Sequence, residues 1–138
     1  MFVPKLYIKY AFPLDSTMRQ SFAEKDLGYY PAYKEVKDKI DELLELWAAL
    51  NTDDRVMKLL INLTKVTLPR DLELGIYGGG LLPMSIPLIM PITRGNKHIA
   101  NDKLLVTIIH EIAHRFVGDR DVNLGINSYW EDVSKQYP

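Results

Sequence analysis

Residues 104 to 118 read LLVTIIHEIAHRFVG and place two of the chain's three histidines four positions apart. Side chains four residues apart lie on the same face of a helix, so the imidazoles of His110 and His114 could bind one metal ion. Glu111 lies about 100° further round the helix, near such an ion without binding it. The spacing His-Glu-x-x-His therefore predicts a zinc site with a neighbouring carboxylate base.

The residues around this motif predict the helix that must carry it. Asn101 or Asp102 is a suitable N-cap, and Gly118 is a suitable C-terminal cap. The apolar residues between them recur at helical spacing: Leu104, Leu105, Ile108, Ile109, Ile112 and Phe116. We therefore expect an amphipathic helix with one buried face.

The competing interpretation is a buried helix whose two histidines bond to backbone carbonyls. For a lone histidine we would prefer it. However, assembling His-Glu-x-x-His by chance in a chain this short has odds of order one in a few hundred. The residues between Glu111 and His114 are uncharged and do not compete with the ligands. The metal site is therefore the favoured interpretation.

Composition narrows the class of protein. The 138 residues fit one domain, 1–138, with a net charge of −1 and no cysteine. The chain lacks the excess of basic residues that would indicate a nucleic-acid partner. No apolar run reaches the roughly 20 residues of a membrane span. The lack of cysteine excludes disulfides and cysteine-ligated zinc. Residues 2–12, FVPKLYIKYAF, are too interrupted for a signal peptide, so we expect a cytoplasmic protein.

Four further segments have a secondary-structure signal. Residues 2–12 predict a strand, and residues 56–68 are ambiguous between helix and strand, with Pro69 ending either. Residues 72–80, LELGIYGGG, predict a strand followed by a glycine turn. From residue 31 to residue 50, apolar positions at helical spacing predict an amphipathic helix: Val36, Ile40, Leu43, Leu44, Trp47 and Leu50.

A glycine run and a group of acidic residues could also suggest sites, and the plainer interpretation is preferred for both. The run Gly78–Gly80 has no following lysine and serine or threonine, so a flexible turn is preferred over a phosphate loop. The prolines of residues 84–92 favour an extended segment at a sheet edge. The acidic residues of the 31–50 helix are interpreted as a solvated face balanced by lysines: Asp38, Asp41, Glu42 and Glu45.

The segment HEIAHRFVG, followed downstream by SYW, resembles the zincin metallopeptidases, and most closely the gluzincins, including the short stand-alone archaeal minigluzincins. The resemblance covers residues 104–137. It implies two zinc ligands, His110 and His114, the catalytic residue Glu111, and a third ligand downstream. It also implies an edge strand before the motif helix that aligns an extended peptide.

Glu131 is the first choice for the third ligand, because the family's glutamate lies on a second helix that starts near the aromatic-tryptophan pair. The family pattern, however, places that glutamate two residues further on, where this chain has Val133. Asp121 and Asp119 are therefore alternatives. His98 is disfavoured as a ligand because it precedes the expected start of the motif helix. About 12 Å of helix separates that start from His110.

The resemblance implies an α+β fold: a small zincin-like domain with a mixed, mostly antiparallel sheet, a backing helix, the motif helix and a C-terminal helix carrying the ligand. It implies a Zn²⁺ peptidase in which Glu111 acts as general base on a metal-activated water. Substrates would be peptides or proteins, with broad, weak or autoinhibited activity and self-association through the C-terminal end.

Two functions of other classes remain for comparison. A peptide deformylase also has a His-Glu-x-x-His helix, but its third ligand is a cysteine, and this chain has none. The other is a catalytically silent module that keeps the zincin fold and binds zinc or peptide. Zinc content without turnover would favour that module.

Overall fold

The computed structural model describes residues 2–117. Their helices are α1 (Leu14–Lys25), α2 (Tyr33–Ala49), α3 (Lys58–Thr64) and α4 (Asn101–Val117). Their strands are β1 (Leu6–Tyr10), β2 (Leu72–Tyr77), β3 (Met84–Ser85), β4 (Leu88–Pro91), β5 (Thr93–Arg94) and β6 (Lys97–His98). A π-helical segment, Asp53–Met57, leads directly into α3. This part of the chain is α+β, as predicted, and the C-terminal helix expected around Glu131 lies outside it.

The main sheet is mixed, with strand order β1-β2-β4-β3. β1 pairs with β2 and β2 with β4 in parallel, whereas β3 and β4 are antiparallel. The predicted predominance of antiparallel pairing was wrong for this sheet. Between β1 and β2 the chain passes through three helices, and such a crossover brings the next strand back in the same direction. A separate hairpin of β5 and β6 is antiparallel.

The strands follow from local sequence in two ways. β1 lies within the predicted segment 2–12 and alternates, with Leu6 and Ile8 buried and Tyr7 and Lys9 exposed. β2 is paired on both sides and is almost continuously buried after its second residue. An interior strand of a parallel sheet is expected to be apolar on both faces. The predictions of a strand at each place are confirmed.

The amphipathic helix predicted for residues 31–50 is α2. Val36, Ile40, Leu43 and Trp47 are buried and face the sheet, where α2 contacts β1 and β2. Leu44 is 41 % exposed, so its assignment to the buried face was wrong. Leu44 comes one residue after Leu43, so its side chain is rotated by about 100° around the helix and lies off the apolar stripe.

The ambiguous segment 56–68 is helical as far as Thr64. The helix ends because Lys65 adopts a left-handed conformation, with φ of 60°. The Lys65 N–H donates to the Ile61 carbonyl over 2.8 Å, which closes the last turn. The expectation that Pro69 would end this element was therefore wrong.

Residues 84–92 divide between an edge strand and an interior strand. β3 lies at the edge of the sheet, as predicted for this segment, but β4 pairs with strands on both sides. Leu88 and Met90 of β4 are buried in the core. Pro87 lies in the turn before β4 and Pro91 is its last residue, so neither proline interrupts the middle of a ladder.

A buried carboxylate, which the sequence did not indicate, joins the first half of the chain to β2. Asp15 on α1 is 0 % exposed. It accepts hydrogen bonds from the hydroxyl of Tyr10, from the hydroxyl of Tyr30 over 2.6 Å and from the N–H of Gly78 over 2.8 Å. Arg19 forms an ion pair with it over 2.7 Å. Three separate segments are thereby fixed to one side chain.

The glycine turn after β2 is close-packed. A Cβ on Gly78 would lie 2.5 Å from the Tyr30 ring, and one on Gly79 would lie 2.3 Å from Oγ1 of Thr93. Gly80 has φ of +98°, which a residue with a side chain rarely adopts. The prediction of a turn is confirmed, but its expected flexibility is not. Gly78 and Gly79 leave no room for a side chain, and Gly80 has a φ that other residues rarely adopt.

No helix within residues 2–117 is long and apolar enough to span a membrane.

Asp15→Asn should lower the free energy of unfolding at pH 7 by about 2–4 kcal/mol, because it leaves Arg19 partly buried without its counter-charge. Burial raises the pKa of the Asp15 carboxyl, but hydrogen bonds from Tyr10, Tyr30 and Gly78 and the charge of Arg19 outweigh it, so its pKa is below the ordinary value. The carboxylate therefore stabilises the fold above its unfolded-state pKa of about 3.9. That stability is lost as pH falls through the lowered pKa.

Urea unfolding at pH 7 and in acid measures both effects. The matched control is Asp38→Asn, which removes an exposed aspartate from an i, i+4 pair with Lys34 and should change little. Equal effects of the two substitutions, or an unchanged acid dependence in Asp15→Asn, would contradict the assignment.

Candidate metal centre

The motif helix α4 begins earlier than its predicted N-cap residues allow. Asn101 and Asp102 both lie within the helix, and the Leu104 N–H donates to the Ala100 carbonyl over 2.9 Å. The Asn101 side chain is used for contact with α2, where its oxygen accepts a hydrogen bond from Lys39 over 2.7 Å. The predicted capping role of Asn101 was wrong, because its side chain bonds to Lys39 on α2 and not to the backbone of α4.

One face of α4 is buried as its periodicity predicted, and only Leu105 of the predicted set is half-buried. The helix packs against α3, β3 and β4. The fully or nearly fully buried residues of the set are Leu104, Ile108, Ile109, Ile112 and Phe116. Burying each such side chain contributes roughly 1.5–3 kcal/mol, so the rotation of α4 about its axis is fixed.

The two motif histidines meet at the boundary of this buried face. Nε2 of His110 lies 3.1 Å from Nε2 of His114. The ring centroids are 4.7 Å apart and the ring planes are nearly perpendicular, at 80°. Two nitrogens bound to one tetrahedral zinc at about 2.0–2.1 Å are about 3.3 Å apart. The imidazoles thus already have nearly the separation that a shared ion requires.

The same distance also suits a hydrogen bond from the N–H of one neutral imidazole to the bare nitrogen of the other. Either arrangement needs uncharged rings. Burial lowers the pKa of His110, and the charge of His114 lowers it further. Because a metal ligand must be the neutral imidazole, the same burial that holds the helix also favours the ligand form.

Glu111 is buried and only 9 % exposed. Carboxylates are almost never buried to this extent without a partner or a function. Its place directly after His110, on a helix whose rotation is fixed, keeps it at the side of the histidine pair. The residue that the motif assigns as base is therefore largely shielded from solvent.

A third metal ligand is not found among residues 2–117. In that range no three histidine, cysteine, aspartate or glutamate side chains are grouped so that they could hold an ion. The predicted third ligand Glu131 and the alternatives Asp121 and Asp119 all lie outside the described residues, as does the predicted cap Gly118.

The edge strand β3 is attached to the motif helix. Nη1 of Arg115, directly after His114, donates to the Ser85 carbonyl over 3.3 Å. α4 also packs against β3. The edge strand expected to precede the motif helix is therefore beside it in space, although it is shorter than the predicted segment 84–92.

His98, which the sequence disfavoured as a ligand, is engaged elsewhere. Its Nε2 lies 3.1 Å from the Tyr29 hydroxyl and 3.2 Å from Oε1 of Glu35. The Tyr29 hydroxyl also donates to Oε1 of Glu35 over 2.5 Å, and this bond raises the pKa of Tyr29 to about 12. The cluster joins β6 to the start of α2.

Sequence reasoning missed the hairpin that places cations near the start of α4. Its turn residues Gly95 and Asn96 both have positive φ, 56° and 65°. Glycine and asparagine at both central positions are typical of a two-residue hairpin turn. That signal is present in TRGNKH, and it would have placed Arg94 opposite Lys97.

No family model, curated protein or solved structure matches this chain. A fold in any case hosts many functions, so function must be inferred from the site itself.

After treatment with a chelator, the chain should bind close to one zinc ion, and His110→Ala or His114→Ala should abolish binding, because each removes a nitrogen ligand from a small set. Calorimetric titration with zinc measures this. The matched control is His98→Ala, which removes the remaining histidine and should leave zinc affinity unchanged. Equal loss in all three variants, or no binding by the unaltered chain, would contradict a shared metal site.

Proposed function

We propose that this chain is a zinc-dependent peptidase whose ligands include His110 and His114 and whose general base is Glu111. The observation that carries the proposal is the 3.1 Å separation of the two Nε2 atoms on a helix whose buried face fixes them. Helical spacing alone would allow the imidazoles to diverge, and here they converge. The nitrogen donors suit a zinc ion, and burial lowers the pKa of His110, which favours its neutral ligand form.

The third ligand in this proposal comes from beyond residue 117, since the described residues supply only two converging imidazoles. Glu131 remains the first choice, with Asp121 and Asp119 as alternatives. Structural zinc sites are closed by four protein ligands, whereas catalytic sites use three and leave a position open. A carboxylate joining two histidines gives the catalytic kind of ligand set.

When bound, zinc would supply a Lewis acid that polarises a peptide carbonyl and makes water more acidic. Glu111 then has two tasks at its carboxylate oxygens. It takes a proton from the attacking water, and it delivers that proton to the amine nitrogen that leaves. Its place directly after His110 on the same helix supports this role, because the His-Glu-x-x-His spacing puts the carboxylate next to the proposed ligands.

Substrates are proposed to be extended peptides. β3 pairs with β4 on one side only within the described residues, and Met84 on it is 42 % exposed. A peptide that adds to such an edge gains backbone hydrogen bonds that do not depend on its sequence. Since Arg115, the residue after His114, donates a hydrogen bond to β3, this edge lies close to the histidine pair. Broad specificity would follow.

The second candidate is a module of the same fold that binds zinc or peptide without turnover. It is favoured if the unaltered chain binds zinc but hydrolyses no peptide. Autoinhibition or self-association through the C-terminal end remains a proposal that rests on the resemblance alone. A cytoplasmic location remains a proposal that rests on the sequence of residues 2–12.

Glu111→Gln tests the proposed base directly. The variant should bind zinc as tightly as the unaltered chain but lose at least about 10²-fold in peptide hydrolysis, the usual scale when a general base is removed. Digestion of a mixed peptide library, followed by mass spectrometry of new amino termini, measures the rate. Zinc content is measured on the same samples.

The control is Glu45→Gln, the same change at an exposed site on α2, which should leave both quantities unchanged. Loss of zinc in Glu111→Gln would mean that Glu111 is a ligand. Full activity in Glu111→Gln would exclude it as the base, and zinc binding with no hydrolysis by the unaltered chain would favour the silent module.

A further inference from the structure

A cavity of about 630 Å³ lies beside the first half of α4. Its walls come from residues 81–83, the end of β4, the β5–β6 hairpin and residues 99–107. Pockets that bind small ligands have volumes of about 300–1,000 Å³. Leu81 and Leu82 contribute to an apolar wall and are themselves 46 % and 65 % exposed. Large exposed leucines beside a cavity favour a ligand that covers them.

The charged residues that line this cavity are predominantly cationic. Arg94, Lys97 and Lys103 line it, and Asp102 is the one carboxylate among the lining residues. None of these three cations takes part in the ion pairs found within residues 2–117. An anion that reached the cavity would therefore meet cations that are not already neutralised by the described part of the chain.

Two of the cations are held together by backbone geometry. The turn at Gly95 and Asn96 places Arg94 directly opposite Lys97 in the hairpin. Like charges in directly opposite positions destabilise a strand pair. The short hairpin has only one other residue pair, Thr93 with His98, to offset that cost. A bound anion between the two side chains would remove the repulsion.

The face of α4 that lines the cavity also carries the motif histidines. Lys103, Thr107, His110 and His114 follow one another at spacings of four, three and four residues, which places them on one face of the helix. Lys103 and Thr107 line the cavity. The rise from Lys103 to His110 is about 10 Å, the length of about three extended residues.

We propose that this cavity binds the free C-terminal carboxylate of a short peptide whose last side chains are apolar. The carboxylate lies among Arg94, Lys97 and Lys103, the side chains lie against Leu81 and Leu82, and the peptide extends along α4 toward His110. Binding of the carboxylate does not depend on the proposed peptidase function. Cleavage does, and it would cut the bond about three residues before the carboxylate, so that the enzyme would release short peptides from C-terminal ends.

Binding is tested on protein freed of metal by a chelator, so that turnover does not enter. The probe is fluorescein-labelled Gly-Ala-Leu-Leu with a free carboxylate, and its matched control is the same peptide as the C-terminal amide. Fluorescence anisotropy should show the acid binding at least about tenfold more tightly than the amide, because only the acid can accept charge-assisted hydrogen bonds.

The triple variant Arg94→Gln, Lys97→Gln, Lys103→Gln should lose this preference. Lys37→Gln, at an exposed position on α2 outside the cavity lining, should keep it. Equal binding of acid and amide, or an unchanged preference in the triple variant, would overturn the carboxylate site. If octanoate binds as tightly as the peptide acid, the proposal of a peptide ligand is wrong and the cavity binds a fatty acid.

This experiment separates the two proposals. If zinc fails to bind His110 and His114 while the preference for the acid persists, the peptidase proposal fails and the cavity remains a peptide site. If zinc-dependent hydrolysis is found without the preference, the site in the cavity is wrong and the peptidase stands.

Discussion

The structure depends on the burial of one apolar face of α4. That face packs against the sheet and α3, and it fixes how the helix is rotated. Once the rotation is fixed, the positions of His110 and His114 at the edge of the buried face are fixed as well. The same constraint places Lys103 and Thr107 along the cavity. Removing one such leucine or isoleucine side chain from the core typically costs about 2–5 kcal/mol of stability. A different rotation of α4 would therefore be strongly disfavoured.

The helices and strands with strong periodicity could be predicted from the sequence, and those without it could not. The spacing of Ile108, Ile112 and Phe116 predicted the buried face of α4, and the apolar repeat of α2 predicted that helix within one or two residues. α1 escaped notice because its only fully buried residue is Asp15, which has no apolar signal. The parallel pairing of β1 with β2 also had no local signal, because it depends on the path through three helices.

Within the site, the motif could be predicted and its surroundings could not. Helical spacing brought His110 and His114 to one face, as expected, but whether two rings converge depends on side-chain packing around them. Side-chain hydrogen bonds between distant residues were missed for the same reason. Asn101, expected as a cap, contacts α2, and Asp15 collects donors from residues up to 63 positions away. Such choices are made by tertiary structure, which overrides local preference.

X-ray absorption at the zinc edge of the metal-loaded chain would show whether His110 and His114 bind one zinc ion. We predict scattering from two imidazole rings, with nitrogen at about 2.0–2.1 Å, and oxygen ligands completing a shell of about four. A shell made only of oxygen, or one that contains a single imidazole, would contradict it.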